Sequence, residues 1–168
     1  MIVNRQRGVR ISREPLQAFL RRVQKELGVR ERGVTVCLVS DSEIAGMNER
    51  FRKKTGATDV LSFPAGKDGR GRSKKRKGIY TEGAEDTEGK EKRRQTLGAR
   101  AAESYLGDIA IAPETAGRYA KKNGRSLSHE LRVLILHGVL HLMGYDHETD
   151  HGEMNRIERK MRRRFGLS

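Results

Sequence analysis

The chain has 168 residues, 35% of them hydrophobic, 35% charged and 5% aromatic, with no Trp. That length suits one domain with a modest core. The net charge of +14 and a pI near 10.4 favour a polyanionic partner without choosing DNA or RNA, and a single cysteine excludes an intrachain disulfide.

Residues 2–11 alternate weakly and read as a first strand. Ser12 is placed to cap a helix from about Glu14, in which Leu16, Phe19, Leu20, Val23 and Leu27 keep helical spacing and Gly28 is the stop. Residues 34–39 are apolar and read as a buried strand, with Cys37 a buried, inert thiol inside it. Ser40 and Glu43 form an S-x-x-E capping box for a helix through about Phe51, with Ile44, Met47 and Phe51 on one face. Residues 60–63 are a short strand ended by Pro64, and residues 106–112 another ended by Pro113. A short helix from about Glu114 to Lys122 stops at Asn123-Gly124. The next begins near Ser126, is apolar through Leu142 and ends at Gly144. A very basic helix over about residues 152–164 closes the chain.

The pattern disappears between Ala65 and Tyr105. Residues 66–103 carry 12 basic and 7 acidic residues, a net +5, which leaves +9 on the remainder. This stretch, about residues 66–104, reads as a loosely held basic insertion, equally an RNA-gripping arm or a tolerated solvated segment. The expected architecture is α+β with an α/β-like start: a small mixed sheet of about four strands packed with about five helices, in one domain over residues 1–168. No apolar run follows Arg5, Arg7 and Arg10, and the longest fully apolar run in the C-terminal half is residues 133–136. Neither a signal peptide nor a membrane span is expected, and the chain reads as soluble and intracellular.

The chemistry concentrates in the stretch HGVLHLMGYDH, residues 137–147. His137 and His141 are four apart on a helix, which sets both imidazoles on one face. Gly144 can take a positive φ and turn the chain so that His147 returns to the same ion. Three neutral imidazoles suit one Zn²⁺ per chain and leave a fourth position for water. The frame H-x-x-x-H-x-x-G-x-x-H is that of the metzincin proteases, but the position of the protease base is Gly138. Asp146, just before the third histidine, reads first as a turn residue bonding backbone amides, with orienting a histidine from behind the metal ligands or assisting proton transfer as the functional alternatives. His129 reads as a capping or packing residue and His151 as a surface one.

These residues resemble the YbeY family of bacterial rRNA maturation endoribonucleases. The histidine stretch is similar to that family's signature, as are RKKTGATDVLSFP at residues 52–64, LGDI at residues 106–109 and Glu153-Met154 before a basic helix. The resemblance implies zinc on His137, His141 and His147, and a catalytic role for Arg52. It implies a cytoplasmic, single-strand-specific endoribonuclease acting on rRNA, in maturation of the small-subunit 16S rRNA 3′ end and in ribosome quality control. Its partners would be the ribosome or small subunit and assembly factors. The departure is the long 66–104 stretch, where family members cross with a shorter loop. Two rivals remain at this stage: a metzincin-like zinc protease, disfavoured by Gly138 and the charge, and a non-catalytic ribosome-assembly factor whose zinc is structural.

Overall fold

A computed structural model describes residues 1–65, 104–147 and 149–167. The expected insertion therefore lies, but for Ser104, outside the described residues. Four strands and five helices are found among the described residues, in the order β1 (Ile2–Asn4), α1 (Arg13–Glu26), β2 (Gly33–Leu38), α2 (Asp41–Arg52), β3 (Val60–Pro64), β4 (Tyr105–Ile111), α3 (Pro113–Lys122), α4 (Leu127–Leu142) and α5 (Glu153–Phe165).

The strands form one mixed sheet in the order β1-β2-β4-β3, with β1, β2 and β4 parallel and β3 antiparallel to β4. Alternation divides its two faces. Val34, Val36, Leu38, Ile109 and Ile111 join the main core with Leu16, Leu20 and Val23 of α1 and Ile135, Leu136, Val139 and Leu140 of α4. The opposite face is covered by α2, whose Ile44 and Met47 meet Leu61, Ala110 and the half-buried Cys37. Burial pushes the Cys37 thiol above its ordinary pKa, with the charge of Asp108 adding to the effect. It is accordingly a weak nucleophile.

α4 is apolar nearly all round, as befits a helix packed between other elements. Ser126 caps it by accepting from the His129 backbone N–H at 3.2 Å. The expected capping box on α2 is present in full, with Ser40 and Glu43 satisfying each other's backbone N–H. Asp41 in its first turn ties α2 to α3, accepting from the Thr115 hydroxyl at 2.9 Å and from Arg118 at 2.7 Å.

Three expectations are corrected. The first strand ends at Asn4, because the Gln6 side chain exchanges two hydrogen bonds with Val9 and folds the following residues into a loop. Ser12 occupies the N-cap position of α1 but makes no side-chain capping bond. Pro64 belongs to β3 rather than ending it, which is tolerated because β3 is an edge strand. Phe51 keeps the helical spacing of Ile44 and Met47 and is 46% exposed at the end of α2.

Candidate metal centre

α4 delivers two of the three histidines, and its termination delivers the third. The helix closes with a paired C-terminal motif: Gly144 N–H donates to the His141 carbonyl at 3.0 Å, and Tyr145 N–H to the Leu140 carbonyl at 3.2 Å. This arrangement needs a left-handed residue, supplied by Gly144 at φ 96°. The carbonyl of Asp146 then accepts from the backbone of Thr149 and Asp150, closing a tight turn around His147.

The result is a cluster in which one ligand atom from each of His137, His141 and His147 lies within 4.8 Å of the others. The Nε2 atoms of His137 and His141 face each other at 3.1 Å. His137 and His141 are half-buried and His147 is exposed, so the cluster opens to solvent on one side. Among the described residues no fourth His, Cys, Asp or Glu joins it. Burial lowers the pKa of His141, the neighbouring His137 and His147 rings lower it further, Asp146 opposes the shift and Arg52 adds to it. A neutral imidazole is the form that binds a metal, so the donor set fits a divalent ion.

Arg52 stands 89 residues before His141 in sequence, at the exposed C-terminal end of α2, yet its charge reaches that ring. Asp146 begins the turn through its carbonyl, while its carboxylate also acts on His141. His151 is exposed and His129 half-buried in the first turn of α4.

One participant escaped the sequence reading. Glu158 of α5 is 8% exposed, and its Oε2 lies 3.4 Å from His137 Nδ1. Its Oε1 accepts from Arg162 at 2.6 Å. Burial alone would raise its pKa, but the hydrogen bonds from His137 and Arg162 outweigh that and bring it from 4.5 to about 2. The carboxylate thus takes the Nδ1 proton of His137 as its hydrogen-bond donor and turns Nε2 toward the cluster. The i,i+4 spacing of Glu158 and Arg162 was visible as a helix pair; its bond to a histidine 21 residues earlier was not.

Glu158→Gln is expected to weaken divalent-metal affinity about 10- to 100-fold. Competition against a chromophoric chelator measures this, with circular dichroism as the check on folding. Unchanged affinity in a folded variant would show that Glu158 serves packing alone. The pair also carries an acid dependence: because the folded pKa lies below 4.5, its stabilisation is complete above that value and is lost as pH falls toward about 2.

Gly138 sits on the same helix with its α-carbon against β4. A Cβ there would meet Ile109 at 2.7 to 3.0 Å. A side chain at this position points between helix and sheet, not into the opening beside the histidines. No described helix is long and apolar enough to cross a membrane.

Comparison with known proteins agrees with this geometry. Residues 1–166 match the family described as Endoribonuclease YbeY. A protein named Endoribonuclease YbeY from Koribacter versatilis (strain Ellin345) is 40% identical over 167 residues, 99% of this chain and 86% of its own length. One of the same name from Solibacter usitatus (strain Ellin6076) is 34% identical over 157 residues, covering 94% and 82% of the two chains. The solution structure of TM1509 from Thermotoga maritima superposes with a TM-score of 0.55 at 26% identity, over 95% of this chain and 85% of that one. With its three-histidine cluster and a family match running almost end to end, the chain belongs to the YbeY endoribonuclease family.

Proposed function

We propose that this chain is a zinc-dependent, single-strand-specific endoribonuclease of the bacterial cytoplasm, acting on rRNA at the 16S 3′ end and in ribosome quality control. Its partners in this reading are the small ribosomal subunit and assembly factors. Residues 1–168 form one catalytic domain, with the 66–104 stretch as an insertion. One observation carries the reading: an open three-histidine cluster with the charge of Arg52 acting on it, in a chain of net charge +14.

His137, His141 and His147 would hold the ion, one per chain. A divalent ion there supplies Lewis-acid polarisation of a phosphodiester. The protein's own groups do the rest. Glu158 keeps the His137 proton on Nδ1. Burial and the neighbouring rings disfavour the charged form of His141. Arg52 donates to the non-bridging phosphate oxygens, where negative charge builds in the transition state. Asp146, whose charge acts on His141, would help orient a histidine of the cluster. The open side of the cluster supports catalysis over a structural ion, since structural zinc sites close with four protein ligands.

The test uses the purified protein on unstructured and duplex RNA, with and without a chelator. Cleavage confined to the unstructured RNA and abolished by the chelator is expected. Arg52→Ala is expected to lower the cleavage rate by about 10²- to 10³-fold, the usual cost of losing one transition-state donor, with metal content unchanged. Wild-type cleavage by that folded variant would remove Arg52 from the mechanism.

A further inference from the structure

Phe51 has the chemistry of a core residue and the position of a ligand-binding one. It is 46% exposed, with Met1 and Tyr119 the other large exposed hydrophobics among the described residues. Its ring is nonetheless held in place. Phe63 of β3 meets it edge-on, with centroids 5.2 Å apart at 73°, and the Arg50 guanidinium lies over one face of the ring, 5.4 Å from its centroid, where an incoming base would have to displace it or use the other face. The next residue is Arg52, whose charge reaches His141. Beyond it, Lys53 adopts the left-handed conformation at φ 58° and Lys54 follows; both are exposed. The buried amide of Asn48 donates to the Gly56 carbonyl at 3.0 Å and anchors this loop. An aromatic ring is thus presented to solvent on a supported helix end, among Arg50, Arg52, Lys53 and Lys54.

That combination matches one kind of occupant. The cations suit the phosphates of a nucleic acid, and the ring suits a base lifted out of its stack. An apolar peptide would leave the four charges without partners. A duplex would offer no free base face. We propose that Phe51 is a stacking platform for a nucleobase of single-stranded RNA, placed beside the phosphodiester that Arg52 and the histidine cluster handle. This rests on the endoribonuclease reading above. The platform carries no hydrogen-bonding group, so it selects for an unpaired base rather than for a particular base.

Phe51→Ala is expected to raise KM for unstructured RNA about 5- to 150-fold, the range found for one lost base–aromatic stack. The turnover at saturation and the metal content stay near wild type. A set of oligonucleotides with single abasic positions locates the base: one abasic position weakens binding to the wild type and has no further effect on Phe51→Ala. Because the chain has no Trp, Phe51→Trp introduces a single reporter whose emission changes on binding intact RNA and not on binding the abasic one. Should Phe51→Ala fail to fold, Phe51→Leu keeps the apolar bulk, loses the ring face and is expected to show the same KM defect. A wild-type KM in the folded variant, or a tryptophan emission indifferent to RNA, overturns the proposal. If the wild type cleaves no RNA, the enzymatic reading fails, and the emission titration, which needs no cleavage, still decides the stacking claim.

Discussion

His141→Ala is expected to lose the bound metal and to lower RNA cleavage by about a thousandfold or more. The size follows from the several kcal/mol that metal polarisation supplies, at about 1.36 kcal/mol per tenfold in rate. His141 is the choice among the three because its ring lies closer to each of the other two than they lie to one another. Its Nε2 faces that of His137 at 3.1 Å, and its ring centroid lies 5.3 Å from that of His147. Its carbonyl also accepts the Gly144 N–H that shapes the turn, a backbone contact that the substitution leaves in place. The ring is half-buried, so the variant should fold. Metal content by atomic emission, a thermal melt and a cleavage assay together read the outcome. A folded variant that keeps one tightly bound ion would remove His141 from the ligand set.

Gly138→Glu places the protease base where the metzincin pattern has it, and it is expected to unfold or severely destabilise the protein without creating a protease. The added Cβ would stand 2.7 to 3.0 Å from three atoms of Ile109. Overpacking of this kind costs about 1–3 kcal/mol. Forcing an unpaired carboxylate between α4 and β4 adds several kcal/mol more. Against a typical domain stability of about 5–15 kcal/mol, the sum is close to limiting. Gly138→Ala should be milder, because the helix preference of Ala over Gly returns about 1 kcal/mol against the clash. Ile109→Val removes the closest atom, so the double variant should recover part of the loss, a coupling that urea melts of the two single variants and the double variant measure. A stable Gly138→Glu variant that hydrolyses casein would restore the protease reading.

The two variants test different kinds of knowledge. The histidine frame was legible because every step of it is local. A four-residue spacing on a helix, a left-handed glycine and a short turn set His137, His141 and His147 near one another within a single stretch of chain. The same holds for the α2 capping box and for the helical stripe of Leu16, Phe19, Leu20 and Val23, which is buried as its spacing requires. Among the described residues, the number and order of strands and helices agree with the reading from periodicity, caps and Pro or Gly stops.

Gly138 was legible only as an absence. The sequence shows that the base is missing, but the reason lies in Ile109, which reaches this position from another element. Glu158 reads as one acid in a basic helix until α5 packs beside α4 and brings its carboxylate to His137. Phe51 keeps helical spacing with Ile44 and Met47, yet its ring is 46% exposed at the end of α2 and meets Phe63 of β3 edge-on. What the sequence determined by itself is the cluster of three histidines, because helix geometry makes it from eleven consecutive residues. What only the tertiary structure decided is the surroundings of that cluster. The charge of Arg52 acting on His141, Glu158 behind His137 and Ile109 closing off the protease position all arise from packing between segments distant in the chain, which no local pattern encodes.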